Sequence, residues 1–171
     1  MKNQLFDLTK KVSLITGGNG GIGLGMAKGL ASCGSDIAII GRNLEKNSKA
    51  KEELSEFDVR VEAYSIDVSN EEDVKKTVLN VVNDFGRIDA VFANAGMNLY
   101  GGSFEDMDTD VYRKVLAVNL DGVFFTLREV CKHMVERAKK GDPGGSVVGV
   151  ASLAGIAVSY THLTLPTNGL V

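Results

Sequence analysis

Thr16-Gly17-Gly18-Asn19-Gly20-Gly21-Ile22-Gly23 decides how the rest of the chain is read. Before it stands Val12-Ser13-Leu14-Ile15-Thr16, a compact run rich in β-branched residues that reads as a buried strand. After it a helical pattern runs through about Ser32. Glycines at such a junction let the backbone come close to a ligand, because no Cβ stands in the way. The helix that follows presents unbonded N–H groups and the positive end of its dipole. The combination makes a cradle for a diphosphate. A turn needing positive φ would explain one or two of these glycines, not the whole cluster.

Outward from this loop, short apolar runs alternate with longer amphipathic stretches. Asp36–Ile40 reads as a second strand, Leu44–Phe57 as a charged helix and Val59–Ser65 as a third strand. Ser69 and Glu72 have capping-box spacing, ahead of a helix whose Val74, Val78, Val81, Val82 and Phe85 share one face. Ile88–Ala93 is a fourth strand. One long helix is expected from about Thr109 to Lys139, with Val111, Val115, Val118, Leu127, Val130 and Met134 mostly inward. Gly141-Asp142-Pro143-Gly144-Gly145 ends it, and Ser146–Ala151 is a fifth strand. Such alternation predicts an α/β fold, a Rossmann-like doubly wound parallel sheet in strand order 3-2-1-4-5 with helices on both faces. The ligand crevice of such a sheet lies at the carboxyl ends of strands 1 and 4.

Composition narrows the function classes. The chain has 171 residues, 44% hydrophobic and 24% charged, which suits one folded domain and excludes global disorder. A net charge of -3 lacks the basic footprint that a nucleic-acid partner requires. Cys33 and Cys131 show no CxxC spacing, so no metal site or disulfide is expected and both read as reduced, buried thiols. Met1–Lys11 is polar rather than a signal peptide, and no apolar run approaches the ~20 residues of a membrane span. The default expectation is a cytoplasmic protein with no membrane partner.

Further motifs follow the glycine loop in order. Asn94-Ala95-Gly96 ends the fourth strand, Asp67-Val68 follows the third, Asn119 lies in Ala117-Val118-Asn119-Leu120, and Ser152 lies in Ala151-Ser152-Leu153-Ala154-Gly155. Taken singly, Asp67 reads equally as a capping group, Asn119 as a helix-surface residue and Ser152 as a loop hydroxyl. Taken together, over about residues 5 to 156, they resemble the short-chain dehydrogenase/reductase family, short single-domain branch. The loop itself fits T-G-x-x-x-G-x-G through Gly17, Gly21 and Gly23, and also the T-G-x-x-G-x-x-G of a longer, epimerase-like branch through Gly17, Gly20 and Gly23. Asn94-Ala95-Gly96 favours the short branch.

The resemblance implies a nicotinamide cofactor held by Thr16, Gly17, Asn19, Gly21, Ile22, Gly23, Arg42, Asp67, Val68, Asn94, Ala95 and Gly96. An acidic residue after strand 2 would bind the ribose hydroxyls of NAD and repel a 2′-phosphate. This chain has Gly41-Arg42-Asn43 there, and the Arg42 fork suits a phosphate, which favours NADP over NAD. Arg42 as a solvated loop cation or a stack on adenine would suit either cofactor.

Family members transfer a hydride between nicotinamide and an alcohol or carbonyl substrate, and the resemblance implies catalytic roles for Asn119 and Ser152 and a homo-oligomeric full-length parent. The family also uses a tyrosine with a lysine four residues later. Here Leu165 stands near the expected tyrosine position, Thr164 stands four residues after Tyr160, and no Lys or Arg follows Lys140. Tyr160 is therefore not read as the base. Val158-Ser159-Tyr160-Thr161-His162-Leu163-Thr164-Leu165-Pro166-Thr167 is similar to an in-frame translation of a transposase adapter used in DNA library preparation. The expected division is an incomplete dinucleotide-binding domain over 1–157 and a non-native tail over 158–171, lacking the family's later strands and lid. A fragment of this kind is expected to be inactive, with strand 5 an open sheet edge and the helix face around Val123, Phe124 and Phe125 short of partners. A non-catalytic dinucleotide-binding module is the alternative reading. His133, late in the long helix, reads as a surface cation near the helix's negative end.

Overall fold

In the computed structural model, residues 6–98 and 105–152 are described. Among the described residues five strands and five α-helices follow in the order β1 Val12–Thr16, α1 Gly21–Ser32, β2 Asp36–Ile40, α2 Leu44–Leu54, β3 Val61–Tyr64, α3 Glu71–Phe85, β4 Ala90–Ala93, α4 Thr109–Leu116, α5 Gly122–Lys139 and β5 Ser146–Gly149. A π-helical turn, Ala117–Asp121, joins α4 to α5. The strands form one sheet in the order β3-β2-β1-β4-β5, every pair parallel. The expected architecture and strand order are those observed.

Parallel strands covered on both faces must be apolar on both faces, and every residue of β1 is buried. Side chains alternate across the sheet, so the two faces can be read from the register. Leu14, Ala38, Ile40 and Val91 face one way, where Val74, Val78 and Val81 of α3 and Val130 of α5 meet them. Ile15, Ile37 and Ile39 face the other way, onto Ala27 and Ala31 of α1 and Ala50 and Leu54 of α2. The small residues of α1 let that helix lie close over the end of β1.

Four local expectations are corrected. The N-cap of α3 is Asn70, whose side chain accepts from Asp73 N at 3.2 Å, rather than Ser69 of the expected capping box. The Ser69 hydroxyl is turned back to Asp67 Oδ1 at 2.7 Å. The single long helix is broken by the π turn. His133 is no surface cation: its Nε2 accepts from Ile88 N at 3.2 Å, so the ring is neutral there. Burial and the nearby Arg137, Arg87 and Lys140 charges hold its pKa below the usual histidine value, Asp89 pulling the other way. Finally, Cys131 is exposed and Cys33 half-buried; both are free thiols.

Among the described residues β5 stands at the sheet edge and is exposed throughout, Val147 and Val148 included. Of the apolar trio on α5, Phe124 is strongly exposed, whereas Phe125 packs against the core and Val123 lines a cavity beyond the end of β4. The tail from 158, with Tyr160, His162 and Leu165, lies outside the described residues.

Candidate functional site

The carboxyl ends of β1 and β4 are locked together by neutral groups. Thr16 Oγ1 accepts from Asn94 N at 3.0 Å and from Ala95 N at 2.9 Å. Asn94 Nδ2 returns the link, donating to Thr16 O at 3.0 Å. Thr16 is buried, so these bonds replace water that the strand ends would otherwise need. The glycine loop folds over this lock. Gly17 has φ +66, a left-handed conformation that a side chain disfavours. A Cβ on Gly23 would overlap Gly17 O and the Asn94 amide, so α1 approaches the loop as closely as it does only because Gly23 has none.

The start of α1 has no side-chain cap and no acidic residue in its first turn. By contrast α2, α3 and α4 are capped by Asn43, Asn70 and Asp108 and carry acids there. The free N–H groups and dipole of α1 are thus left for an external anion.

Beside the loop lies a crevice of about 290 Å³ lined by Gly17, Asn19, Gly41, Arg42, Asn43, Lys46, Asp67, Val68, Ala95 and Gly96, with Ile40, Ile66 and Val118 as its apolar walls. Arg42 Nη1 lies 3.4 Å from Asp67 Oδ2, with both side chains well exposed. A pair this open to water is weak, and Arg42 is available to a stronger anion. Burial raises the Asp67 pKa, but the Ser69 amide and hydroxyl, with Arg42, outweigh it and hold the carboxyl below the usual range.

A second cavity, of about 410 Å³, shares Ala95 and Gly96 with the first and is lined further by Asn94, Met97, Asn98, Asn119, Val123, Val150, Ala151 and Ser152. The π turn carries Asn119. Its Oδ1 accepts from Met97 N at 2.8 Å and its Nδ2 donates to Met97 O at 2.9 Å. A π turn adds one residue to the helical repeat and often marks a functional site. Here it stands where the helix must offer Asn119 to the segment after β4.

The family model for short chain dehydrogenase matches residues 11–164. The chain belongs to the short-chain dehydrogenase family. Among its relatives, a sorbose reductase of Schizosaccharomyces pombe is 35% identical over 153 residues, covering 88% of this chain and 58% of that protein. An NADP-dependent mannitol dehydrogenase of Hypocrea jecorina is 35% identical over 160 residues, covering 91% of this chain and 58% of the other. The solved NAD+-bound xylitol dehydrogenase superposes with a TM-score of 0.79 at 39% identity, covering 87% of this chain and 55% of that one. The chain spans rather more than half the length of the curated relatives it matches.

The fold thus brings the short-chain dehydrogenase motifs into two adjoining cavities. Gly17, Asn19, Arg42, Asp67, Val68, Ala95 and Gly96 line the first. Asn94, Asn119 and Ser152 line the second. Gly21, Ile22 and Gly23 line neither: Ile22 is exposed on the first turn of α1 and Gly23 is packed beneath Gly17. Sequence reasoning missed Lys46, a second cation on the first cavity. Its signal was its place in the first turn of α2, just after the loop that carries Arg42. Asn47, buried behind that wall, was missed too. Among the described residues no group of three His, Cys, Asp or Glu gathers for a metal, and no helix is long and apolar enough to cross a membrane.

Proposed function

We propose that this chain is the dinucleotide-binding part of an NAD(P)-dependent oxidoreductase acting on an alcohol or carbonyl. The observation that carries the reading is the uncapped start of α1 beneath a glycine loop, opening on a crevice that continues into a cavity holding Asn119 and Ser152. NADP is the favoured cofactor. Arg42 and Lys46 line the adenosine end and no acidic side chain stands at Gly41. NADP dependence in the mannitol dehydrogenase relative supports this choice, and NAD+ in the xylitol dehydrogenase structure keeps NAD as the competitor.

Bound nicotinamide would supply or accept the hydride. The residues of this chain would do the rest. The loop and α1 hold the diphosphate, Asp67 and Val68 border the adenine, and Asn94-Ala95-Gly96 form the floor between cofactor and substrate. Ser152 would donate its hydroxyl hydrogen to the substrate oxygen, and Asn119 would hold the wall at Met97. The names of the relatives make polyols and ketoses the substrates to screen first. Residues 158–171 offer no tyrosine with a lysine four positions on. The chain as given, with its domain over 1–157, should therefore bind cofactor and turn nothing over. A tyrosine with a lysine four positions on in the full-length product would support the enzyme, and its true absence there the alternative of a non-catalytic binding module. A cytoplasmic setting and a homo-oligomeric full-length parent belong to the same proposal.

Fluorescence titration with NADPH and NADH tests the reading. NADPH should bind more tightly. Arg42→Ala should weaken NADPH about tenfold, as expected for one charge-assisted contact, and NADH less than about twofold. Binding of neither cofactor to the chain or to the full-length gene product would refute it. Turnover by the full-length product then separates enzyme from binding module.

A further inference from the structure

Asn47 is a polar residue in an apolar stripe. It sits on α2 one turn before Ala50 and two turns before Leu54, which are buried, and it is itself only 3% exposed. A buried amide is unfavourable unless bonded, so packing alone would place an apolar side chain there. Its bonds run to three different strand ends. Nδ2 donates to Gly41 O at 3.0 Å and to Tyr64 O at 3.4 Å, and Oδ1 accepts from Asn19 Nδ2 at 2.6 Å. Asn19 belongs to the loop after β1, Gly41 to the loop after β2, and Tyr64 ends β3. The bridge passes directly over Gly41. A Cβ at that position would overlap the Asn19 amide and Asn47 Oδ1, so any larger residue must break the bridge or move a loop. Asn47 itself does not line the crevice.

We propose that Asn47 is a positioning residue for nucleotide binding: by bridging Asn19 and Gly41 it sets the separation between the glycine loop and the segment carrying Arg42 and Lys46. Resting on the dinucleotide reading above, it fixes the distance between the place for the diphosphate and the place for a phosphate on the adenosine ribose. It also gives Gly41 a reason to be glycine, and so keeps an acidic side chain out of the position that would select NAD.

The test contrasts ligands that touch one loop with a ligand that spans both. 2′-AMP and 5′-AMP each carry one phosphate; 2′,5′-ADP carries two. Asn47→Ala should weaken 2′,5′-ADP about five- to tenfold, the weight of one lost polar contact, and either single-phosphate ligand less than about twofold. Equal weakening of all three, tracking a fall in melting temperature, would overturn the proposal, since Asn47 would then only pack. Asn19→Ala cuts the bridge from the partly exposed side and leaves the bonds of Asn47 to Gly41 and Tyr64, so it guards against a variant that fails to fold. Hydrogen exchange on the ligand-free Asn19→Ala protein should quicken at the Gly41 amide as well as across residues 17–20. Quickening confined to the glycine loop would overturn the bridge. Failure of the unaltered chain to bind 2′,5′-ADP would overturn the NADP choice on which the proposal rests, while exchange still decides whether the two loops are tied.

Discussion

The two ends of the sheet are held together by different chemistry. At the carboxyl ends the main ties are neutral, Thr16 with Asn94, Asn19 with Asn47 and Asn119 with the Met97 backbone, beside an Arg42–Asp67 pair that is open to water. At the amino ends they are charged. Asp89 accepts from Arg87 at 2.8 and 2.6 Å and from the Val12 amide at 3.0 Å, with Arg137 at 3.3 Å and Lys11 at 3.5 Å. Arg137 extends the clamp to Ile88 O and Gly144 O. The difference teaches what each end is for. A charge paired within the protein has little field left for a ligand. The end proposed to receive an anion holds its loops with amides and hydroxyls and leaves a helix dipole open. An end that only closes the fold can neutralise its charges internally.

The largest expected effect is at the charged end. Asp89→Ala leaves Arg87, a largely buried Arg137 and the Val12 amide without their shared acceptor. It should lower unfolding stability by about 3 kcal/mol, read from the denaturant midpoint. Nucleotide affinity of the folded fraction should stay within about twofold. A large loss of affinity at unchanged stability would erase the contrast between the ends.

At the neutral end, Thr16→Val keeps shape and removes the acceptor for Asn94 N and Ala95 N. About 2 kcal/mol of stability should go, with a nucleotide Kd raised about tenfold, because the lock lies under the crevice. Calorimetric titration beside a urea melt separates the two. Loss of stability with normal binding would show that the lock only closes the sheet.

Acid should act first at the charged end, and less strongly. His133 titrates lower in the folded chain than in the unfolded one. The unfolded chain therefore takes up a proton first as pH falls below about 6.5, and stability drops through that window. Burial opposes the ionised form of Asp89, but Arg87, the Val12 amide and Lys11 outweigh it and depress its pKa, so a second drop follows below about pH 4. His133→Gln should abolish the first drop and leave the second. An unchanged acid profile would remove the imidazole from the account.

Much of this was legible along the chain because it is local. Each strand and helix shows its own period, and Gly17 to Gly23 announce a close approach whatever lies opposite. What the sequence hid were side chains whose roles depend on a partner far along the chain. Ser69 and Asn70 are both good caps, and Asp67, held in place by the end of β3, took the serine hydroxyl and left the helix to Asn70. His133 looked like a surface cation until the Ile88 amide, 45 residues away, was set against it. Asn47 offered one clue, a polar residue in the stripe of Ala50 and Leu54, but its partner Asn19 belongs to another crossover. The stretch from 117 to 121 reads as plain helix, and only packing around Val118 and the pull of Met97 on Asn119 accompany the extra residue of the π turn.

Taken by itself, the order of residues determined the alternation of strands and helices, the parallel sheet and the glycine loop at the start of α1. These follow from periodicity, from missing side chains and from handed crossovers, which need no knowledge of distant neighbours. Tertiary structure alone decided which polar groups meet: the neutral locks at one end, the Asp89 clamp at the other, and the amide bridge over Gly41. A hydrogen bond requires two groups within about 3 Å, and only the folded sheet brings the ends of separate crossovers that close.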